Sequence, residues 1–201
     1  MKKVLVLGAS GNIASQVIDL LAGHDDVQLM LFARSARRLR KMPAGAKVVE
    51  GSVLDYNQLK AAVAGQDIVY ANLAGDLGAM AKNIVRAMNE TGVKRLIFIS
   101  SIEIYNTPLK SVLKPYRAAV DAIEGSDLDY TVLRPAWFTS ANEVDFELTR
   151  KGEPERGSVI AQKSLATIAQ KSLATFVTQL IEQPAHYVRE SLGSNKPTSE
   201  A

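Results

Sequence analysis

Apolar residues recur along the chain in two rhythms. Val4-Leu5-Val6-Leu7 is an unbroken apolar run that stops at Gly8, and Ile13, Val17, Leu20 and Leu21 then follow at helical spacing. Strand, glycine turn and helix are predicted in that order. The cycle returns: residues 28–33 read as a second strand, a short basic helix follows near 37–41, and residues 47–50 read as a third strand. Asp55 stands three residues before Gln58, the pattern of a capped helix start, and Leu59, Ala62 and Val63 continue that helix. Residues 67–72 give a fourth strand, 80–90 a helix, 95–100 a fifth strand, 116–124 a helix, and 130–133 a strand ended by Pro135. Leu173, Phe176, Val177, Leu180 and Ile181 mark a late amphipathic helix.

This alternation predicts an α/β fold, a doubly wound parallel sheet with helices on both faces. A chain of 201 residues, 47% of them hydrophobic, can bury one sizeable core. One Rossmann-type domain is expected over residues 1–193, with residues 194–201 a flexible tail because they are polar and rich in Ser and Pro. Ligands of such sheets bind at the carboxyl ends of the strands. Those ends carry Gly8, Arg34, Ser52, Asn72 and Ser100.

Composition narrows the function classes. No segment has the roughly 18 consecutive apolar residues of a membrane span, and a cytoplasmic, soluble protein is expected. With no cysteine there is no disulfide framework and no thiolate metal site, and His24 and His186 lack metal-ligand spacing. A net charge of +3 is too small to argue for nucleic acid. Neither nucleic acid nor membrane is expected as a partner, and the chain is expected to be a monomer or homodimer.

The octapeptide 161–168, Ala-Gln-Lys-Ser-Leu-Ala-Thr-Ile, recurs at 169–176 as Ala-Gln-Lys-Ser-Leu-Ala-Thr-Phe. Eight residues turn a helix by about 80° beyond two full turns. The spacing predicts one extended helix from about Lys163 to Ile181. The second copy would pack on the sheet, leaving Leu165 and Ile168 to cover the pocket mouth or meet another subunit.

The turn Gly8-Ala9-Ser10-Gly11-Asn12-Ile13-Ala14 lies between the first strand and the first helix. A pyrophosphate must approach unpaired backbone N–H groups at a helix start, and a Cβ on the turn would block it. Gly8 and Gly11 meet this need, and Ala14 is small enough for close packing of helix on sheet. Ser10 and Asn12 add side-chain hydrogen bonds. At the end of the second strand a carboxylate selects the ribose 2′-hydroxyl of NAD, and an arginine accommodates the 2′-phosphate of NADP. Here Phe32-Ala33-Arg34-Ser35 has no acid, and Arg37 and Arg38 follow. NADP is expected over NAD.

Gly-Ala-Ser-Gly-Asn-Ile-Ala, Phe-Ala-Arg-Ser, Ala71-Asn72-Leu73-Ala74-Gly75, Ile99-Ser100-Ser101 and Asp129-Tyr130-Thr131-Val132-Leu133-Arg134-Pro135 occur in the order found in atypical short-chain dehydrogenase/reductases. The chain most resembles their small NAD(P)H-binding group, which includes NmrA-like regulators and biliverdin/flavin-reductase-like proteins. The resemblance implies that Gly8, Ser10, Gly11, Asn12 and Ile13 hold the pyrophosphate and that Arg34 and Ser35 meet the adenosine ribose. It puts Ser52 and Val53 beside the adenine; Ser52 stands where many relatives have aspartate. Leu73, Ala74 and Gly75 would line the nicotinamide ribose, Ser100 and Ser101 stand at the catalytic serine or threonine, and Ala136-Trp137-Phe138 would border the substrate pocket.

One departure concerns catalysis. Active members pair a tyrosine with a lysine four residues on, and the ammonium lowers the phenol's pKa. Tyr116, the candidate tyrosine, is followed by Val120 in that place. Counting back from Asp129 instead puts Tyr116 at the lysine position and Val112 at the tyrosine position, so neither register yields the pair. Two functions stay open: an NADPH-dependent reductase of a flavin, quinone or similar small-molecule acceptor, which needs no strong protein acid, and a non-catalytic NADP(H) sensor of the NmrA-like kind. A sugar-nucleotide epimerase or dehydratase is disfavoured, since it needs the dyad and a larger C-terminal lobe.

Overall fold

The computed structural model describes residues 1–155 and 167–197. Its strands are β1 (Lys2–Leu7), β2 (Val27–Ala33), β3 (Lys47–Glu50), β4 (Ile68–Ala71), β5 (Arg95–Ile99), β6 (Asp129–Pro135), β7 (Trp137–Thr139), β8 (Glu147–Arg150), β9 (Thr167–Ala169) and β10 (Glu190–Asn195). The α-helices are α1 (Asn12–Leu21), α2 (Tyr56–Val63), α3 (Leu77–Thr91), α4 (Lys114–Glu124) and α5 (Gln170–Glu182).

Alternate residues of β1 feed two separate cores. Val4 and Val6 pack with Ile13, Val17 and Ile18 of α1 and with Leu173, Val177 and Leu180 of α5. Leu5 and Leu7 pack on the other face with Leu59 of α2, Ile84 and Met88 of α3, and Ile123 of α4. A strand covered on both faces must be apolar at every position, which is why β1 reads as a continuous run. Each such side chain contributes about 1.5–3 kcal/mol of burial free energy. The molecule is therefore a single domain of three layers, α1 and α5 against one face of the sheet and α2, α3 and α4 against the other.

The main sheet runs β3-β2-β1-β4-β5-β6-β10-β8. Its pairings are parallel from β3 through β10, and β8 closes the edge antiparallel to β10. After β1 the chain builds outward through β2 and β3, then returns to add β4 on the other side of β1. The gap between β1 and β4 is thus the topological switch point, where a doubly wound sheet opens a crevice at its strand ends. The doubly wound parallel α/β fold expected from the sequence is the one observed.

Three expectations need correction. The extended helix from Lys163 does not form: Thr167–Ala169 is strand β9, parallel to β7 with Ile168 opposite Phe138, and α5 begins at Gln170. Thr167 and Ile168 are β-branched, and the Thr167 carbonyl accepts the Lys196 N–H at 2.6 Å, so sheet partners satisfy this backbone in place of a helical turn. Ile168 is 1% exposed and belongs to the core, not to a surface strip. Residues 163–166, including Leu165, lie outside the described residues. The boundary expected at 193/194 falls inside β10, where Ser194 and Asn195 pair with both β6 and β8 or with β8 alone and are buried. The basic helix expected at 37–41 is a single 3₁₀ turn over Ala36–Arg38. Among the described residues no helix is long and apolar enough to cross a membrane.

Candidate functional site

The glycine turn is built around two close approaches. Gly8 has φ +79°, and a Cβ there would lie 2.0 Å from the Asn72 carbonyl oxygen and 3.3 Å from Leu73 Cδ2. No side chain fits that seat. The Gly8 and Ala9 N–H groups both reach the Phe32 carbonyl at 3.2 Å, and the Gly11 N–H closes the turn on the Gly8 carbonyl at 3.1 Å. Ends of β1, β2 and β4 are thereby drawn to one place, and the Leu73 side chain lies against the turn.

Gly11 caps α1 without a side chain, and the first turn holds no acid. The Asn12, Ile13 and Ala14 N–H groups have no acceptor within the helix. Helices α2 and α3 differ, since Asp55 accepts the Gln58 N–H at 3.1 Å and Asp76 accepts the Ala79 N–H at 3.2 Å. Ser10 is half-buried beside the turn and Asn12 is exposed, while Ile13 is a core residue, so its contribution here is its backbone.

Arg34 follows β2 directly and is exposed, as are Arg37 and Arg38, and none of the three has an ion-pair partner among the described residues. Ser35 is half-buried beside them. Ser52 spends its hydroxyl locally, accepting the Leu54 N–H at 3.2 Å, while its own N–H is held by Gln58 Oε1 at 3.0 Å. Val53 is buried, and its carbonyl accepts from Asn83 Nδ2 at 3.0 Å. Ala74 and Gly75, with Gly75 at φ +111°, form the exposed loop between β4 and α3. All twelve expected cofactor residues therefore stand at the carboxyl ends of β1 to β4.

Past β5 lies a cavity of about 300 Å³ lined by Ser100, Ser101, Lys110, Tyr116, Trp137 and Phe138 among others. Ser100 is 4% exposed, and its Oγ has no hydrogen-bond partner among the described residues. Trp137 and Phe138 are large apolar side chains left exposed, at 63% and 45%. A second cavity of about 310 Å³ involves Leu21, His24 and Pro43. It opens at the amino ends of β1 and β2, away from the crevice.

Tyr116 lies on the first turn of α4 and lines the cavity. Val120, where an activating lysine would stand, is 0% exposed and packed in the core with Leu77 and Ile84. An ammonium in that seat would lose its hydration with no counter-charge, so the missing lysine is a property of the fold here and not of the side chain alone. Arg117 does not replace it, because its guanidinium is held by Asp121 at 2.7 Å and by the Ile104 carbonyl at 3.2 Å. Lys110 is the cation that does line the cavity, paired with Glu103 at 2.6 Å. Sequence reasoning passed over both: Glu103 takes φ +67°, and nothing in the local pattern shows that this bend turns its carboxylate toward Lys110.

Behind the cavity Arg134 is 1% exposed, with Nε 3.0 Å from Ser191 Oγ and an ion pair to Glu155. Tyr105 donates to Glu124 and lies 2.8 Å from Ser191 Oγ. Burial and the Glu124 carboxylate push the Tyr105 phenol up, so it stays protonated. This network ties β6, β8 and β10 together behind the apolar wall.

A family of NAD(P)H-binding proteins matches residues 8–184 of the chain. A Rossmann-fold NAD(P)-binding family protein from Shigella flexneri is 42% identical, with 100% of this chain and 96% of that one covered and a TM-score of 0.89. A short-chain dehydrogenase/reductase from Veillonella parvula in complex with NADP shares the fold at 22% identity, 100% and 97% coverage and a TM-score of 0.80. ChuY, an anaerobillin reductase from Escherichia coli O157:H7, does so at 16% identity, 100% coverage of both chains and a TM-score of 0.78. No curated protein matches the chain.

Proposed function

The chain belongs to the NAD(P)H-binding family, and from that premise we propose that it is an NADPH-dependent reductase of a flavin, quinone or similar small acceptor. The observation that carries this reading is the juxtaposition of an uncapped helix start with an aromatic-walled cavity. Gly8 ends β1 and Ser100 follows β5, with β4 alone between those strands. Two strand spacings are about 10 Å, a distance that a dinucleotide running from the glycine turn across the β4 loop spans easily.

The cofactor, when bound, supplies the hydride. The chain's own residues would bind and orient: Gly8, Ser10, Gly11, Asn12 and Ile13 at the pyrophosphate, Arg34 and Ser35 at the ribose phosphate, Ser52 and Val53 at the adenine, and Leu73, Ala74 and Gly75 at the second ribose. Trp137 and Phe138 offer flat apolar faces to a planar acceptor. Ser100 Oγ is a buried donor in want of an acceptor, suited to an acceptor oxygen or the carboxamide of the cofactor. Catalysis then rests on proximity and orientation, with no activated phenol required. Ser100, Ser101 and Tyr116 would be the groups that touch the reacting atoms.

The NADP-bound Veillonella protein and the ChuY reductase support this reading as analogies of fold. The test is oxidation of NADPH, followed at its absorbance, against a panel of free flavins and quinones. Turnover of at least one acceptor is expected. Tight NADPH binding with no acceptor turned over would overturn the reductase and favour the sensor, which the core position of Val120 fits as well.

A further inference from the structure

The end of β2 carries no acid in sequence, yet the sheet brings one beside it. β3 runs parallel to β2 with Glu50 opposite Ala33, the residue before Arg34. Glu50 Oε1 accepts the Ala36 N–H at 2.6 Å. Gly51 holds this strand end in place, its N–H bonded to the Ala33 carbonyl at 3.0 Å and its backbone pressed on Phe32, whose Cζ would lie 2.7 Å from a Cβ. The carboxylate is thus fixed two residues past Arg34, on a backbone donor of the loop that meets the adenosine ribose. Among the described residues the arginine ion pairs are with Glu90, Asp121, Glu155 and Glu190, and none is with Glu50.

We propose that Glu50 is a specificity-determining residue of the adenosine site, a carboxylate that opposes the 2′-phosphate and so narrows the preference for NADPH over NADH. The inference rests on the proposed cofactor reading. Arg34 draws the phosphate in, and Glu50 holds the neighbouring N–H and repels it. A ribose 2′-hydroxyl carries no charge and meets no such repulsion. The site is then balanced between the two cofactors by two side chains of opposite charge on adjacent strands.

A purely structural role would be to cap the 3₁₀ turn, and two variants separate the roles. Glu50→Gln keeps an oxygen for the Ala36 N–H and removes the charge, whereas Glu50→Ala removes both. Calorimetric titration of the intact chain with NADPH and with NADH, at low and at high salt, is the measurement. Glu50→Gln should tighten NADPH about three- to tenfold at low salt, the scale of one exposed charge acting on a phosphate, and leave NADH within about twofold. High salt should shrink the gain. An NADPH to NADH ratio unchanged in Glu50→Gln, with NADPH still bound by the wild-type chain, overturns the role given to Glu50 and leaves the cofactor reading standing. A wild-type chain that binds neither nucleotide overturns the cofactor reading and this inference together.

Discussion

The Ser172 hydroxyl accepts the Asp145 N–H at 3.0 Å and lies 3.1 Å from the Glu143 carbonyl and 3.2 Å from that of Asp145. It has one proton, so it serves one of these carbonyls at a time while holding the N–H throughout. Ser172 is 0% exposed and belongs to the second copy of the duplicated octapeptide. Ser172→Ala should lower unfolding free energy by about 1–3 kcal/mol, the cost of stranding buried polar groups. Urea denaturation measures this, and NADPH affinity should stay within about twofold. An unmoved midpoint would mean that the segment before β8 gains nothing from the hydroxyl.

The two glycines of the first turn should answer differently to the same methyl group. Gly8→Ala sets a Cβ 2.0 Å from a carbonyl oxygen at φ +79°, so the turn must move; a loss above about 2 kcal/mol is expected from strain and displaced packing. Gly11 has φ −71° and ψ 157°, with its nearest neighbour 3.4 Å from an added Cβ. Gly11→Ala should cost the free protein less than about 1 kcal/mol yet weaken NADPH more than tenfold. Equal thermal shifts for both variants would refute the distinction.

Most of this site was legible because its parts are local. A glycine turn between an apolar run and a helix, an arginine after a strand and an aspartate three residues before a glutamine each lie within a few positions of one another. The unread parts depend on what a distant strand brings. β10, Glu190–Asn195, has three serines or asparagines facing buried surroundings, with Ser191 meeting Arg134 and Asn195 meeting Glu147. Hydrogen bonds hold Ser191 and Asn195 there in place of hydrophobic burial, while Ser194 Oγ has no partner among the described residues, and a Cβ at Gly193 would lie 3.3 Å from Thr149 Cβ. Glu50 is invisible for a similar reason, since only the β2–β3 register places it beside Arg34. β9 misleads by continuity, its residues keeping a helical spacing while pairing with β7.

Arg34 should carry the attraction for the 2′-phosphate. NADPH is expected to bind more tightly than NADH, and Arg34→Ala should remove most of that difference, about 1.5–3 kcal/mol for a charge-assisted contact. Isothermal titration of both cofactors decides the matter. Identical affinities in the unmutated chain would refute the role of Arg34.

Tyr116→Phe should change the reductase rate by less than about tenfold, because general acid help is typically worth about 10²–10⁴ and the Val120 seat admits no ammonium. Single-turnover oxidation of bound NADPH gives the chemical step. A loss of about 10³ with cofactor binding intact would show that another cation activates the phenol, and Lys110, on the same cavity, would be the residue to replace next.

The seat that β9 and α5 occupy has a consequence for how the chain tolerates its own history. Deleting residues 161–168 joins Val159-Ile160 to Ala169-Gln170-Lys171-Ser172, which repeats Thr167-Ile168-Ala169-Gln170-Lys171-Ser172 in all but its first residue. Ile160 would then fall where Ile168 now stands opposite Phe138. The stretch between β8 and β9, residues 151–166, would shorten from 16 to 8, a halving worth only about 0.6 kcal/mol in closure entropy. The deleted protein should therefore unfold within about 1 kcal/mol of the full chain and bind NADPH within about threefold, as urea titration and binding isotherms would show. On that expectation either copy's leading residues can supply the isoleucine that faces Phe138, and the fold accepts the chain with or without the extra eight residues.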